Sequence, residues 1–439
     1  MNRLNIKLCF WNIGGLKSKT HNKLSDPIFL QHIFKHDIIL LAETHVGYGE
    51  AVNIPGYHYF PICRDQSKNG RYFGGLAILY KDELKPGIKL LPIMKSNFHW
   101  FILKKDFFNL EKDIYTCLVY YYPVQSATLH NQDCSILDLI EKDIIKHQDH
   151  GNIMLCGDFN ARVGCENDFI TKDNNNFNPS FDCYVSDSAR PRMSQDKITD
   201  TRGNHLIDIC VGNQLRILNG RLAGDSFGKF SCHTCNGSST VDYVIVSEPL
   251  LFEIPLFNIA NFIPTLSDTH CKLSWGIQSR YKILPSVNTS TDIPFPKQYI
   301  WDDTSEIKFQ NTLSNIHFQK QISDFVHDNI DLTRDNINNA CSKLELIITD
   351  AADSCLKRPK LKNNKRKGLS HKKWYDCDLK KQRKELDRKG VLLSIYPFDH
   401  NIKNSYFKLR RIYNKNIKYK MKNFKKSILS QLDNPQIFL

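Results

Sequence analysis

Short apolar segments of strand length, separated by helical patterns, dominate the first 276 residues of this chain. Most of these segments are rich in β-branched or aromatic residues and end in polar residues or glycine, which predicts β-strands. The predicted strands are 5–11, 37–41, 75–80, 113–122, 152–156, 216–218 and 241–246, and the predicted helices are 25–34, 135–146 and 206–214. Clustered strands with intervening helices favour a two-layer α/β sandwich over a single parallel sheet.

The remainder of the chain has a different character. Residues 277–303 contain a stretch rich in Pro, Ser and Thr that is typical of a linker. Residues 304–439 have helical apolar spacing, with a basic loop at 357–373 and an interruption near Pro397. The sequence therefore predicts three parts, which are an α/β domain over 1–276, a linker over 277–303 and a basic α-helical segment over 304–439.

Charge is divided unevenly along the 439 residues, whose formal net charge is +14. Residues 357–439 hold 25 Lys and Arg against 6 Asp and Glu, and the first 356 residues are slightly acidic. A single-signed tail with interleaved tyrosines favours contact with RNA or DNA phosphates through residues 357–426. The competing interpretations are a solubilising helix face and a nuclear localisation signal around Lys365. A third is binding to an anionic membrane surface, which no other feature of the sequence supports.

Composition excludes several classes of protein. An apolar content of 41% argues against disorder, and no stretch approaches the roughly 20 apolar residues of a membrane span. The N-terminus lacks a signal-peptide layout, so we expect a protein that is not secreted. The 14 cysteines are scattered, which favours reduced thiols in a cytosolic or nuclear protein. Cys232 and Cys235 invite a zinc interpretation, which is weak because a second well-spaced pair is missing.

Polar residues follow or begin the predicted strands at several points, and strand ends can gather at one edge of a sheet. The set comprises Asn12, Glu43, a tyrosine among 120–122, Asp158, Asn160, Asp242, Asp268 and His270. Carboxylates without cysteine ligands select a hard cation, Mg²⁺ or Mn²⁺, which can neutralise a phosphodiester. A carboxylate can deprotonate water, and an imidazole backed by a carboxylate can donate hydrogen bonds to the phosphorane.

The order of these blocks resembles the endonuclease/exonuclease/phosphatase superfamily, whose fold is that of deoxyribonuclease I. The matching blocks are Trp11-Asn12, Glu43, Gly157-Asp158-Phe159-Asn160, Asp242-Tyr243 and Ser267-Asp268 with His270. Within the superfamily the chain is most similar to the apurinic-type endonuclease domain of non-LTR (LINE-like) retrotransposons. The tail, from Trp374-Tyr-Asp to Asn434-Pro-Gln, resembles the segment that joins this endonuclease to a reverse transcriptase.

The resemblance implies a role at each matching position. Glu43 is expected to be the main metal ligand, with Asn12 and Asp268 as further candidates. Asp158 is expected to align or deprotonate the attacking water, with Asn12 holding it in place and Asn160 steadying the transition state. His270, oriented by Asp242, is expected to contact the scissile phosphate. The family's active-site tyrosine lies two residues before a proline, which here gives Tyr121.

Two departures from the family pattern affect the metal site and the last block. Gly14 stands where relatives often carry a polar residue that supports a metal-bound water. Thr269 separates Asp268 from His270, which in a strict strand would turn both side chains to the same face unless a bulge absorbs the extra residue.

The sequence leaves three functions open. The first is a Mg²⁺-dependent endonuclease that nicks duplex DNA in the nucleus after cytoplasmic synthesis and leaves a 3′-hydroxyl that primes reverse transcription. The second is an abasic-site nuclease or phosphoinositide phosphatase of the same fold, and the third is a decayed copy that only binds nucleic acid. No Tyr-x-Asp-Asp motif occurs, so we expect this chain to be an element fragment without its reverse transcriptase.

Overall fold

The computed structural model describes residues 2–17, 22–47, 50, 52–64, 72–92, 96–123, 135–170, 191–282, 299, 302, 304–328, 334–356 and 374–432. The strands in this part of the chain are β1 (Asn2–Asn12), β2 (Ile38–Ala42), β3 (Tyr57–Ile62), β4 (Leu76–Lys81), β5 (Ile88–Leu90), β6 (Phe98–Leu103), β7 (Asp113–Tyr120), β8 (Gly151–Asp158), β9 (Leu215–Ile217), β10 (Cys232–His233), β11 (Ser238–Ser239), β12 (Asp242–Ser247), β13 (Leu256–Ile259) and β14 (Leu273–Lys282). The α-helices are α1 (Pro27–Ile33), α2 (Lys105–Phe108), α3 (Ile136–His147), α4 (Thr201–Gly212), α5 (Glu248–Leu251), α6 (Ser305–Leu313), α7 (Ile316–Val326), α8 (Arg334–Cys355), α9 (Cys377–Ile395) and α10 (His400–Leu432). Short 3₁₀ helices occupy Lys23–Ser25 and Asp82–Gly87.

Two six-stranded mixed sheets form the α/β sandwich. Their strand orders are β13-β14-β1-β2-β4-β3 and β5-β6-β7-β8-β12-β9, with β10 and β11 as a separate pair. In each large sheet one central pair is parallel, β1 with β2 and β7 with β8, and the other pairs are antiparallel. The predicted fold class, an α/β sandwich followed by a helical region, is confirmed.

Alternation along the strands explains how the first sheet buries both faces. In β1, Leu8 and Phe10 belong to the main core, which also contains residues of the second sheet, while Cys9 and Trp11 belong to a second core that includes α1. Helix α1 begins at the N-cap Asp26 with Pro27 as its first residue, which is favourable because that position needs no backbone donor. The second sheet packs α3 and α4 against the main core through residues such as Ile140 and Leu206.

The pairing of the central strands brings several chain ends to one edge. Parallel β1 and β2 end together at Asn12 and Ala42, and parallel β7 and β8 end together at Tyr120 and Asp158. Antiparallel β12 begins at Asp242, which is the register partner of Asp158. The polar residues that the sequence places at strand ends are thereby brought to a common region.

The C-terminal part of the chain divides differently from the sequence-based scheme. By contacts, residues 1–283 and 371–439 form one compact unit and residues 284–370 form a second, which contains α6, α7 and α8. Strand β14 also continues through Lys282, paired with β1, so residues 277–282 are not linker. The end of β14 was not predicted because its residues are polar. Helical spacing in residues 304–439 does not indicate which of the two units a helix packs against. The predicted basic loop at 357–373 lies outside the described residues.

Helices α9 and α10 form a hairpin whose apolar face joins the main core. Leu379, Leu386 and Leu393 of α9 and Tyr406 of α10 are at most 2% exposed and belong to the same cluster as the sheet residues. Among the described residues no helix is long and apolar enough to cross a membrane.

Candidate active site

The side-chain amide of Asn12 connects two carboxylates that come from different sheets. Its Nδ2 donates to Glu43 Oε1 and to Asp158 Oδ2, each at 2.9 Å. Asn12 is nearly fully buried at the end of β1, Glu43 follows β2, and Asp158 ends β8. The structure therefore brings three of the predicted site residues into direct contact.

Glu43 is held as an anion. Burial raises the pKa of this carboxyl, but hydrogen bonds from His45 and Asn12 and the positive charges of His270 and His45 outweigh burial and bring the pKa to about 2. His45 Nε2 lies 3.4 Å from Glu43 Oε2. Glu43 and His45 both have positive φ, a conformation that costs free energy and is found at sites where geometry matters.

Asp158 lies in the opposite electrostatic situation. It is fully buried, and burial together with the negative charge of Asp242 raises the pKa of its carboxyl, a shift that His270 and Asn12 oppose. Its Oδ1 accepts from the backbone N–H of Asn160 at 3.0 Å. Asn160 has a φ of 44° and donates through Nδ2 to the Tyr121 carbonyl at 2.7 Å, which fixes the turn after β8.

Gly157 is required for the approach of β8 to β7 beside Asp158. A Cβ at this position would lie 2.0 Å from the carbonyl oxygen of Val119. No side chain fits between these two strands, so Asp158 follows a backbone position that only glycine can occupy without a local shift.

His270 and Asp242 form a second polar pair. His270 Nδ1 lies 2.9 Å from Asp242 Oδ2 and 3.1 Å from Oδ1, and His270 Nε2 lies 3.7 Å from Asp158 Oδ2. Burial lowers the pKa of His270, but the negative charges of Asp242 and Asp158 and the hydrogen bond to Asp242 raise it well above the ordinary value. The imidazole is therefore held protonated, with Nδ1 on Asp242 and Nε2 toward Asp158.

The extra residue Thr269 is absorbed outside strand geometry. Ser267 Oγ donates to the Asn12 carbonyl at 2.8 Å and accepts from the His270 backbone N–H at 3.2 Å, while Trp11 Nε1 donates to the His270 carbonyl at 3.2 Å. These bonds tie a bend at 267–270 to the end of β1. The bend lets His270 reach Asp242 and leaves the Asp268 side chain 74% exposed, with its Oδ1 3.1 Å from Arg410 Nη2.

The tyrosine beside the carboxylates is Tyr120, not Tyr121. Burial raises the pKa of the Tyr120 phenol, and the charges of Glu43 and Asp158 and a hydrogen bond to Glu43 raise it further. The Tyr121 hydroxyl instead lies 3.2 Å from Ser135 Oγ, with the Arg202 guanidinium over its ring. Tyr120, rather than the Tyr121 that the proline spacing selects, lies beside the carboxylates because Tyr120 is the register partner of Asp158, and register partners on adjacent strands point to the same face.

Gly14, the first departure from the family pattern, lies against Asp268. Its φ is +54°, and a Cβ there would be 3.8 Å from Asp268 Oδ2, which is an ordinary contact distance. A buried lysine that the sequence did not single out lies nearby. Burial lowers the pKa of Lys23 to about 8, against the charges of Asp268 and Glu43, and its Nζ donates to the Ile13 carbonyl. Lys23 could not be predicted as a site residue, because a single lysine after a loop forms no recognisable motif. Ser267 could have been predicted, because it is the first residue of the last block.

A group with metal-ligand spacing within the described residues is Asp158, Asp242 and His270. Two of its members already use each other's atoms, since His270 Nδ1 contacts both Asp242 oxygens. Neither Cys232 nor Cys235 belongs to this group, and His233 Nδ1 lies 2.9 Å from Ser238 Oγ. Glu43 lies outside this group, and its Oε2 is 3.4 Å from His45 Nε2.

Several arginines of the α/β sandwich make contacts within the protein. Arg162 binds the buried Asp196 through two hydrogen bonds of 2.9 and 2.5 Å, and Arg64 lies over the Tyr122 ring. Arg192 donates to the carbonyls of Gly164 and Glu166 and is buried.

The family model of the endonuclease/exonuclease/phosphatase family matches residues 9–268, which include Asn12, Glu43, Asp158 and Asp242 and end two residues before His270. The chain belongs to this family. Members of the endonuclease/exonuclease/phosphatase family are nucleases and phosphatases, and the hairpin of α9 and α10 lies outside the matched range.

One curated relative is similar over a short stretch. Eighty residues, 18% of this chain, are 34% identical to "Probable RNA-directed DNA polymerase from transposon BS" of Drosophila melanogaster. The chain spans only 8% of the length of that relative.

Solved structures with a similar fold include the endonuclease domain of TRAS1, a telomere-specific non-LTR retrotransposon. It is 16% identical, with a TM-score of 0.40 and coverage of 62% of this chain and 98% of that one. The AP endonuclease LMAP from Leishmania major is 15% identical, with a TM-score of 0.44 and coverage of 63% and 88%. The 3′-5′ exonuclease NExo from Neisseria meningitidis is 13% identical, with a TM-score of 0.40 and coverage of 62% and 99%.

Proposed function

We propose that this protein is a metal-dependent endonuclease that hydrolyses one DNA phosphodiester, leaves a 3′-hydroxyl at the nick and serves target-site cleavage in retrotransposition. The observation that carries the proposal is the bridge made by the Asn12 side-chain amide. Its Nδ2 donates to an oxygen of the ionised Glu43 and to an oxygen of the buried Asp158, each at 2.9 Å. This bridge joins a carboxylate suited to a cation to a carboxylate suited to accept a proton.

The donor chemistry around Glu43 fits a hard divalent cation, and we assign Mg²⁺, with Mn²⁺ as a substitute. Glu43 supplies an anionic oxygen ligand, and the Asn12 amide oxygen and the Asp268 carboxylate are further oxygen donors in the same region. When bound, such an ion neutralises negative charge on the phosphate oxygens. Gly14 offers no side-chain donor, so this site has one potential contact fewer than relatives with a polar residue there.

Asp158 is placed to take a proton from the attacking water. Its burial favours the neutral form, which drives proton uptake, while the hydrogen bonds from Asn12 and from the Asn160 backbone fix the carboxylate orientation. The water oxygen bonds to phosphorus as its proton passes to Asp158, and the bond between phosphorus and O3′ breaks. The departing O3′ takes up a proton and becomes the 3′-hydroxyl.

His270 provides positive charge where the phosphorane develops negative charge. Asp242 holds Nδ1 of the protonated imidazole. Nε2 therefore lies beside Asp158 Oδ2, and Asp158 is the group that takes the proton of the attacking water. Asn160 and Tyr120 complete the wall of the site. Asp268, which pairs with Arg410, remains a candidate for assisting the metal or the leaving group.

The retrotransposon context rests on the likeness to the transposon BS polymerase of Drosophila melanogaster over 80 residues. In that setting the substrate is duplex DNA in the nucleus, and the 3′-hydroxyl primes synthesis by a reverse transcriptase in the same polyprotein. The basic 357–426 segment is proposed to contact nucleic-acid phosphates.

The test is nicking of supercoiled plasmid DNA with and without Mg²⁺ by the full chain and by Glu43→Ala and His270→Ala. Glu111→Ala, at an exposed carboxylate remote from the strand ends of the site, is the matched control. We expect nicking only with the metal, with the control equal to the original protein and both site variants reduced at least about 100-fold. Equal nicking by all four proteins would refute the proposal.

The same preparation separates the remaining candidates. Preferred cleavage of an abasic duplex would indicate a repair-type nuclease, and release of phosphate from a phosphoinositide would indicate a phosphatase. Absence of all three activities in a protein that binds DNA would indicate the decayed copy.

A further inference from the structure

Helix α10 has two chemically distinct faces. The inner face carries Tyr406 and Tyr413, which are buried in the main core, and Arg410, which contacts Asp268. The outer face carries an exposed row of cations at alternating spacings of three and four residues, comprising Lys408, Arg411, Lys415, Lys418, Lys422 and Lys425. This spacing places all six on one side of the helix, and we name the row the basic stripe.

The basic stripe has a single sign over its whole length. No Asp or Glu occurs between His400 and Leu432, so no ion pair along the helix neutralises it. From Lys408 to Lys425 the stripe extends about 26 Å at a rise of about 1.5 Å per residue. A helix that needs only solubility generally mixes both signs.

The hairpin is anchored to the wall of the candidate active site. Arg383 Nη2 of α9 donates to Asp26 Oδ2 at 2.7 Å, and Asp387 Oδ1 accepts from Thr265 Oγ1 at 2.8 Å. A Cβ on Gly390 would lie 2.5 Å from the Pro264 ring, so α9 packs against the segment 264–265 with no room for a side chain at this position. The segment continues directly into Ser267, whose hydroxyl donates to Asn12, and into Asp268.

The geometry points to duplex DNA as the occupant: we propose that the basic stripe is a track for the phosphate backbone that begins beside Asp268 at the mouth of the site. The inference rests on the proposed function, because it names the surface that positions the substrate of that nuclease. Arg410 links the helix to the site, and the next residue, Arg411, belongs to the stripe.

A straight stripe fits a stiff duplex better than a flexible strand. Proteins bind single strands by stacking bases on aromatic side chains. Among the described residues on the outer face of α10, Tyr419 is the one exposed aromatic. Duplex DNA offers closely spaced phosphates along a rod, and each cation that contacts a phosphate releases counterions. RNA binding by this helix is therefore an outcome of the test rather than the proposal.

The experiment measures binding of a fluorescein-labelled duplex in EDTA as a function of salt, with the full chain. The variant is Arg411→Gln with Lys415→Gln and Lys418→Gln, all exposed and replaced by a good helix former. The control is Lys112→Gln with Lys142→Gln and Lys146→Gln, which removes the same charge near the starts of β7 and β8, at the sheet edge opposite Asp158.

We expect the stripe variant to lower the slope of log K against log salt by about 1 to 3, and to weaken binding about 10- to 500-fold near 0.1 M salt. The control should change affinity less than about threefold. Lys415→Gln alone should lower the slope by about 0.9, which keeps the test valid if the triple variant is unstable.

An unchanged slope in the stripe variant, an equal loss in the control, or a loss confined to a single-stranded RNA of equal length would overturn the proposal. Because EDTA prevents metal-dependent chemistry, the two proposals fail separately. A protein that binds duplex through the stripe but never nicks it would refute the proposed function alone.

Discussion

Replacement of Asp242 by asparagine tests the acid–base arrangement of the site. Asp242→Asn keeps the shape of the side chain but removes the charge that holds His270 protonated at 2.9 to 3.1 Å. A hydrogen bond to a charged group contributes about 1.5–3 kcal/mol. If that contribution is realised in the transition state, kcat/KM for nicking should fall about 10- to 160-fold.

The assay is single-turnover nicking of plasmid DNA with saturating Mg²⁺. Asp138→Asn is the matched control, because Asp138 Oδ1 pairs with His205 Nε2 at 3.2 Å on the protein surface. The control should keep its rate, and DNA affinity in EDTA should be unchanged in both variants. A folded Asp242→Asn protein that nicks within about twofold of the original rate would refute the role of the pair, because the free-energy loss would then be under about 0.5 kcal/mol.

Three further predictions concern stability. The His99 side chain is buried with no hydrogen-bond partner in the described structure, and burial lowers its pKa from 6.5 to about 4. Between pH 6.5 and pH 4, His99 therefore binds a proton in the unfolded chain but not in the folded protein, which destabilises the fold. His99→Phe should therefore raise the free energy of unfolding in urea by about 2 kcal/mol more at pH 5 than at pH 7.5, and an equal change at both would contradict this. Gly157→Ala should lower the melting temperature and abolish nicking, because its Cβ meets the Val119 carbonyl; an unchanged protein would contradict this. A chain that ends at residue 370 should lose about 6–12 kcal/mol, from the four core side chains of α9 and α10 at about 1.5–3 kcal/mol each, and should not fold cooperatively; retention of the original melting temperature would contradict this.

The sequence predicted the strands that carry the site because their apolar runs are flanked by polar residues and turns. Asn12, Glu43 and Asp158 could be selected because they follow such runs, and they meet in the structure. Periodicity alone did not reveal the distances between them, because the joining of two sheets is a tertiary property.

Other features were beyond local patterns. The choice between Tyr120 and Tyr121 depends on register with β8, which motif spacing does not report. The adjustment at Thr269 depends on hydrogen bonds from Trp11 and Ser267. Docking of α9 and α10 onto the first unit was missed because a basic amphipathic helix has the same pattern whether it packs on its own domain or on another.

The membership of α9 and α10 in the first unit changes how the charge of the chain is understood. The basic tail is not simply appended to the slightly acidic α/β sandwich, because Arg383 and Arg410 bind acidic residues of that sandwich. Among the described residues, the cations on the outer face of α10 are exposed and can meet a polyanion.

The measurement that tests the central claim most directly is extension of the nicked plasmid by a DNA polymerase. The full chain with Mg²⁺ should yield nicks that the polymerase extends without prior end repair, since hydrolysis at the P–O3′ bond leaves a 3′-hydroxyl. Glu43→Ala and Asp158→Asn should yield no extendable nicks above the level without metal. Nicks that need phosphatase treatment before extension, or equal yields from the original protein and the two variants, would contradict the account.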